Sequence, residues 1–218
     1  MSVLNPVDRP FGSAGYLTGG TYTMRKQKAQ MKYIAAIALM LNLGVASVYA
    51  QQHPVKMVLS GTDVPTTVNL QQPNTTNDEA NYTGNGTLGP FTFHYVRAIA
   101  PSPQLPSTCS GPNKIAGSSV AGAGVFSFQD GSQLKANLTQ GSDCIDLAAG
   151  EAHCTLTFQI TGGTGRFKDA SGDLTLTETV VPVLADALGK PAFFAATGEF
   201  TGTVSGVARE ADHQEPRQ

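Results

Sequence analysis

Three cysteines and four histidines in 218 residues, scattered singly along the chain, exclude an ordinary structural metal site, because such a site needs several Cys or His ligands at short spacing. Runs of positive charge are missing as well. Lys56, Arg97, Lys114, Lys135, Arg166, Lys168, Lys190 and Arg209 stand apart from one another, whereas a nucleic-acid or anionic-membrane surface gathers its lysines and arginines. Downstream of residue 50 there are nine Lys or Arg against fifteen Asp or Glu, a formal charge of −6, where the whole chain carries −2. Neither nucleic acid nor a membrane is therefore expected as a partner of that part. A Ser-His-Asp order, an HExxH pattern and paired acids on one strand are all lacking. No cofactor and no metal are expected.

The N-terminal fifty residues read as a separate piece. From Met24 a basic start (Arg25, Lys26, Lys28, Lys32) leads into an apolar run over residues 33–48, then Val48-Tyr49-Ala50. Charge, apolar core and small residues at the cut are the plan of a signal peptide. The run is interrupted by Asn42 and Gly44 and falls short of the roughly 20 apolar residues of a spanning helix. Residues 24–50 are thus expected to be a leader cleaved after Ala50, making the product secreted or periplasmic. Residues 1–23, rich in Gly, Ser, Thr and Pro without periodicity, read as an upstream extension from a start assigned too early. Residues 51–207 form one domain and residues 208–218 a polar C-terminal tail.

Period-two hydrophobicity governs that domain. Leu134, Ala136 and Leu138 alternate with Gln133, Lys135, Asn137 and Thr139. Leu156, Phe158 and Ile160 do the same in the next run, and Leu174, Leu176 and Val180 after it. One dry and one wet face mark antiparallel sheet. Candidate strands fall at 56–60, 66–70, 81–88, 91–98, 120–129, 133–139, 154–161, 173–183 and 193–207. Asp130-Gly131 is a strong hairpin signal, since both residues tolerate positive φ, and Gly163-Thr-Gly165 and Leu188-Gly-Lys-Pro191 read as further turns. Residues 98–119 carry Pro101, Pro103, Pro106 and Pro112 and read as a long surface loop, because proline withholds a ladder donor. The fold class is all-β, a closed eight-stranded antiparallel barrel, with an open β-sandwich as the alternative. Secretion permits a disulfide. Cys144 and Cys154 bracket a turn at the ends of two strands and are expected to pair, leaving Cys109 odd.

The run Gly162-Gly163-Thr-Gly165-Arg-Phe167-Lys-Asp-Ala170-Ser-Gly172 resembles the Gly-Gly-Thr-Gly-x-Phe-x-x-Ala-x-Gly segment of dirigent proteins and a related turn of allene oxide cyclases. Thr197-Gly-Glu-Phe-Thr-Gly-Thr-Val-Ser-Gly206 is similar to the closing strand of small secreted bacterial proteins that carry the same segment. Together these cover about residues 119–207, and the resemblance implies an eight-stranded antiparallel barrel. The residues of the motif make physical sense alone. Gly162, Gly163 and Gly165 permit a sharp turn and close approach, Phe167 plugs one end of the barrel, and Ala170 and Gly172 leave room for the next strand. A phosphate-cradling loop would hand the chain to a helix, and here a Thr-rich strand follows.

Two residues stand out as candidate ligand-binding groups. Glu178 interrupts the inward row Leu174, Leu176, Val180, and a carboxylate in a barrel needs a partner or a raised pKa. The competing and favoured reading has the strand bulge or fray before Pro182, leaving Glu178 at a solvated mouth. His94, between Phe93 and Tyr95, could face the lumen, although a lone strand histidine is more often an ordinary hydrogen-bonded residue. Glu199 belongs to a solvated face. Since a closed eight-stranded barrel can hold a guest, the first functional reading is a binding module for a small, mostly apolar molecule in the lumen or at the mouth. A cyclase or isomerase by analogy and a structural surface protein with a filled barrel are the alternatives. A packed interior of Leu156, Phe158, Leu174 and Phe200 would speak for the last, and a cavity of about 300 Å³ or more for binding.

Overall fold

The computed structural model describes residues 52–102 and 109–208. The expected leader, its upstream extension and all but the first residue of the C-terminal tail lie outside the described residues. Eight strands follow one another in the chain: β1 (His53–Pro65), β2 (Thr76–Gly86), β3 (Phe91–Pro101), β4 (Lys114–Phe128), β5 (Gln133–Asp146), β6 (Glu151–Thr164), β7 (Ser171–Ala185) and β8 (Pro191–Ser205). Each pairs antiparallel with the next, and β8 returns to β1 with Met57 opposite Phe200, closing the barrel. The sandwich alternative is thereby excluded, and no strand edge is left open to template another chain. Among the described residues no helix is long and apolar enough to cross a membrane.

Alternation explains the closure. On β1 Val55, Met57 and Leu59 are buried between exposed Pro54, Lys56, Val58 and Ser60. On β3 Phe91, Phe93 and Tyr95 point inward between exposed Thr92 and His94. The inward rows meet on the barrel axis. Phe93 stacks on Phe126 at 4.1 Å between ring centroids and meets Phe200 edge-on at 5.2 Å, geometries that suit the ring quadrupoles and add roughly 1 kcal/mol per pair beyond burial. Leu156, Phe158, Leu174 and Phe200 are all fully buried. This part of the lumen is filled with side chains.

The glycine motif closes one end. After β6 the chain makes a single 3₁₀ turn, Gly165–Phe167, with Gly162 and Gly165 both at positive φ. Two positions leave no room for a side chain. A Cβ on Gly163 would collide with the Gln133 carbonyl, and one on Gly172, itself at φ 145°, with the Thr203 carbonyl of β8. Phe167 is fully buried, its ring 4.7 Å from that of Phe128. Arg166 lies over both rings, donates to the Leu88 carbonyl at 2.6 Å and pairs with Asp130 at 3.0 Å. Phe167 thus fills this end of the barrel, and Arg166 is occupied in packing over Phe167 and Phe128 and in binding Leu88 and Asp130.

Three expectations need correction. Residues 66–70 form no strand; the chain leaves the sheet after Pro65 and passes through Gln71 and Asn74, both at positive φ. The supposed loop 98–119 is shorter, since β3 runs to Pro101 and β4 begins at Lys114. Proline is tolerated at a strand end, and the small residues 116–119 pair with β5. The disulfide joins Cys109 to Cys144, and Cys154 is free and buried. Asp143 is the residue opposite Cys154 in the β5–β6 ladder. Cys144, next to it, therefore points to the outer face while Cys154 points inward, and the barrel wall separates them. Peptide mapping without reduction is expected to recover residues 109 and 144 cross-linked, with Cys154 alkylated only after unfolding. A 144–154 cross-link would contradict this geometry.

Candidate functional site

At the end opposite the plug the inward rows turn polar. On β1 the row Met57, Leu59, Gly61 continues to Asp63, on β3 Phe93 and Tyr95 lead to Arg97, and on β7 Leu174 and Leu176 lead to Glu178. Asp63, Arg97, Asp143 and Glu178 are all at least 95% buried. The favoured expectation for Glu178 is thus overturned. Strand β7 stays regular through Val180, so the period-two register carries the carboxylate inside, where it accepts hydrogen bonds from Tyr82 at 2.8 Å and Tyr95 at 3.3 Å. His94 lies on the outer wall, its Nε2 2.9 Å from Glu79. It is an ordinary surface partner and lines no lumen. Glu199 sits on the outer face too, 3.4 Å from Lys56.

Arg97 is the centre of the polar cluster. Its Nη1 donates to Asp143 at 2.7 Å and approaches Ser119 at 3.4 Å. Its Nη2 lies 3.7 Å from Asp63, 3.9 Å from Asp78 and 3.9 Å from the Cys154 sulfur. Three carboxyl groups thus share one guanidinium, and Glu178 is a fourth carboxyl within its electrostatic reach. Burial pushes the Asp63 carboxyl up to about 8, against the pull of Arg97 and with Asp78, Glu178 and Asp143 adding to the rise. Burial likewise raises Asp78 and Glu178, Arg97 opposing in both cases and the two phenols opposing in the second. The Cys154 thiol is raised by burial, which makes it unreactive rather than nucleophilic. Among the described residues no group of three or more His, Cys, Asp or Glu is placed to hold a metal ion.

Above this cluster opens a cavity of about 440 Å³. Its walls are mainly apolar, with Ile99, Ile115, Ile145, Val180 and Phe194 around Asp63, Asp78 and Arg97. Asp63 Oδ1 and Arg97 Nε are buried without a hydrogen-bond partner. Such atoms cost on the order of 1–3 kcal/mol each in a dry interior, and both belong to residues lining the cavity.

Sequence reasoning singled out Glu178 and passed over Asp63 and Arg97, although the same signal, a charge on an inward row, marks all three. Asp143 carried no such signal. The ladder slips between Leu138 and Gln140, so the inward parity changes from even to odd numbers and Gly141 and Asp143 turn inside.

No family model matches the sequence, and no curated protein matches it. Among solved structures the chain is similar to a pterocarpan synthase dirigent protein, at 12% identity and a TM-score of 0.35 over 72% of this chain and 93% of that one. It is also similar to a nonspecific heme-binding cyclase that catalyses a cycloaddition in neoabyssomicin biosynthesis, at 12% identity and a TM-score of 0.33 over 85% of this chain and 84% of that one.

Proposed function

We propose that this is a secreted or periplasmic binding protein that takes a small, mainly apolar molecule into the open mouth of its barrel. The observation that carries the reading is the pairing of an apolar-walled cavity of about 440 Å³ with buried, unpartnered polar atoms at its floor. Ligand sites have this composition: apolar walls for affinity and a few placed polar groups for orientation. The filled half of the barrel fits a rigid scaffold, and it leaves the mouth as the place for a guest. Export after Ala50 agrees with the leader pattern and with a disulfide between Cys109 and Cys144.

The test is uptake of a neutral environment-sensitive dye, N-phenylnaphthylamine. Fluorescence is expected to rise on mixing with the protein and to be lost in Ala152→Trp, which places a large ring on a residue lining the cavity. No rise in the parent protein, or an unchanged rise in a folded Ala152→Trp variant, would remove the mouth from consideration.

A second reading, a cyclase or isomerase, draws support from one specific feature. The raised Asp63 carboxyl is a proton source beside a mainly apolar cavity, and a group that titrates close to neutral pH suits general acid catalysis. Turnover of a bound polyene or enone, abolished in Asp63→Asn while binding persists, would favour that reading over simple binding.

A further inference from the structure

The floor of the cavity holds more carboxyl groups than cations, with Arg97 the one positive charge among Asp63, Asp78, Asp143 and Glu178. Arg97 makes its one short charged contact with Asp143 at 2.7 Å. Glu178 already accepts from two phenols. Asp63 and Asp78 are left at 3.7 and 3.9 Å from the guanidinium, beyond good hydrogen-bond reach, and Asp63 Oδ1 has no partner. Among the described residues the charged groups that act most on Asp63 are Asp78 from β2, Arg97 from β3, Asp143 from β5 and Glu178 from β7, with the Cys154 thiol of β6 lining the same cavity and apolar Phe194 opposite Asp63 on β8. An anionic guest would meet more carboxyl groups than cations at the floor. A neutral guest would leave the imbalance in place.

Resting on the binding reading above, we propose that the guest is a cationic amphiphile, an apolar amine whose ammonium group seats on Asp63 and Asp78 while its hydrocarbon lies against Ile99, Ile115, Ile145, Val180 and Phe194. An ammonium group brings three donors and no acceptor, which suits the unpartnered Asp63 Oδ1 and the Asp78 carboxyl left 3.9 Å from Arg97. It also brings the missing charge in a site of low dielectric, where opposite charge is worth most. Binding moves a proton: the ammonium keeps its own, the protonated Asp63 carboxyl gives its proton to the buffer, and the carboxylate formed pairs with the cation. Arg97 Nε is a donor and is better served by an acceptor such as a hydroxyl, so a neutral alcohol is the competitor that decides the matter.

Calorimetric titration of the purified protein near neutral pH with phenylbutylamine, phenylbutanol and phenylbutyrate tests this choice, each in two buffers of different ionisation enthalpy. The amine is expected to bind about ten-fold tighter than the alcohol and the carboxylate weakest of the three. Only the amine should show a heat that depends on the buffer, the sign of proton release. In Asp63→Asn the preference for the amine and the buffer dependence should both disappear, with alcohol binding retained. Alcohol or carboxylate binding as tight as the amine overturns the cationic assignment and leaves the mouth cavity standing as a site. Amine affinity unchanged in Asp63→Asn overturns the assignment as well. Absence of binding by all three overturns the assignment and the binding reading together.

Discussion

Replacing Arg97 with methionine is expected to destabilise the barrel by about 4 kcal/mol near pH 8 and by only about 1 kcal/mol near pH 4.5. Methionine keeps the volume and the flexible stem of the side chain, so the loss is chiefly that of charge. The guanidinium is 97% buried and is the one cation among four carboxyl groups. It is the largest influence holding down the carboxyls of Asp63, Asp78 and Glu178 against burial, the phenols of Tyr82 and Tyr95 adding to it at Glu178. Without it their folded-state pKa values climb further above those of the unfolded chain, which tells for Asp78 and Glu178 as pH rises and for Asp63, already pushed up to about 8, only at the top of the range. A carboxyl raised in this way favours the folded state below its unfolded pKa and loses that contribution as pH rises through the folded value, so the cost of the substitution grows with pH. Urea denaturation of both proteins at the two pH values measures it, and a cost independent of pH would mean that Arg97 acts by packing alone.

How much of this cluster was readable beforehand depended on a single rule, that inward positions recur every second residue. Where the ladder is unbroken the rule places charges correctly. Asp63 on β1, Arg97 on β3 and Glu178 on β7 all fall on rows begun by buried Met57, Phe93 and Leu174. His94 fails by the same rule, because its neighbours Phe93 and Tyr95 already take the inward places. Glu178 was pulled towards the mouth by the expectation that Pro182 disturbs its strand. The first register shift in the β7–β8 ladder in fact comes only beyond Pro182, too late to move it.

Where a bulge intervenes, counting by two misleads. The slip between Leu138 and Gln140 on β5 decides two things at once. It turns Asp143 inward onto Arg97 and its neighbour Cys144 outward, within reach of Cys109. A disulfide drawn from chain spacing alone paired Cys144 with Cys154 because both end a strand beside one turn. Sequence distance cannot report on which side of a sheet a cysteine lies. At Gly163 and Gly172 the demand for a missing side chain comes from the Gln133 and Thr203 carbonyls of other strands, so the glycines mark a close approach without naming its partner.

The substitution Asp63→Asn is expected to act in the opposite direction to Arg97→Met. Asparagine is nearly isosteric and never ionises. Below about pH 4 the native Asp63 is neutral in folded and unfolded chains alike, and the two proteins should have nearly equal stability. Between about pH 4 and pH 8 the folded chain holds a proton on Asp63, pushed up to about 8, that the unfolded chain has released. The parent protein therefore loses stability across that window, at up to about 1.4 kcal/mol per pH unit. The variant escapes this loss, so above about pH 8 it should be the more stable by several kcal/mol, on the order of 3 once relaxation of the site is allowed for. Thermal melts of the two proteins across the same pH range should cross or meet at the acid end and diverge at the alkaline end. Parallel curves would show that Asp63 ionises as readily in the barrel as in water. The buried acid would then carry no stored cost for a bound cation to relieve. Divergent curves would show instead that the folded chain tolerates this carboxyl only as an acid, and that stability near neutral pH has been given up to keep an ionisable group at the floor of the cavity.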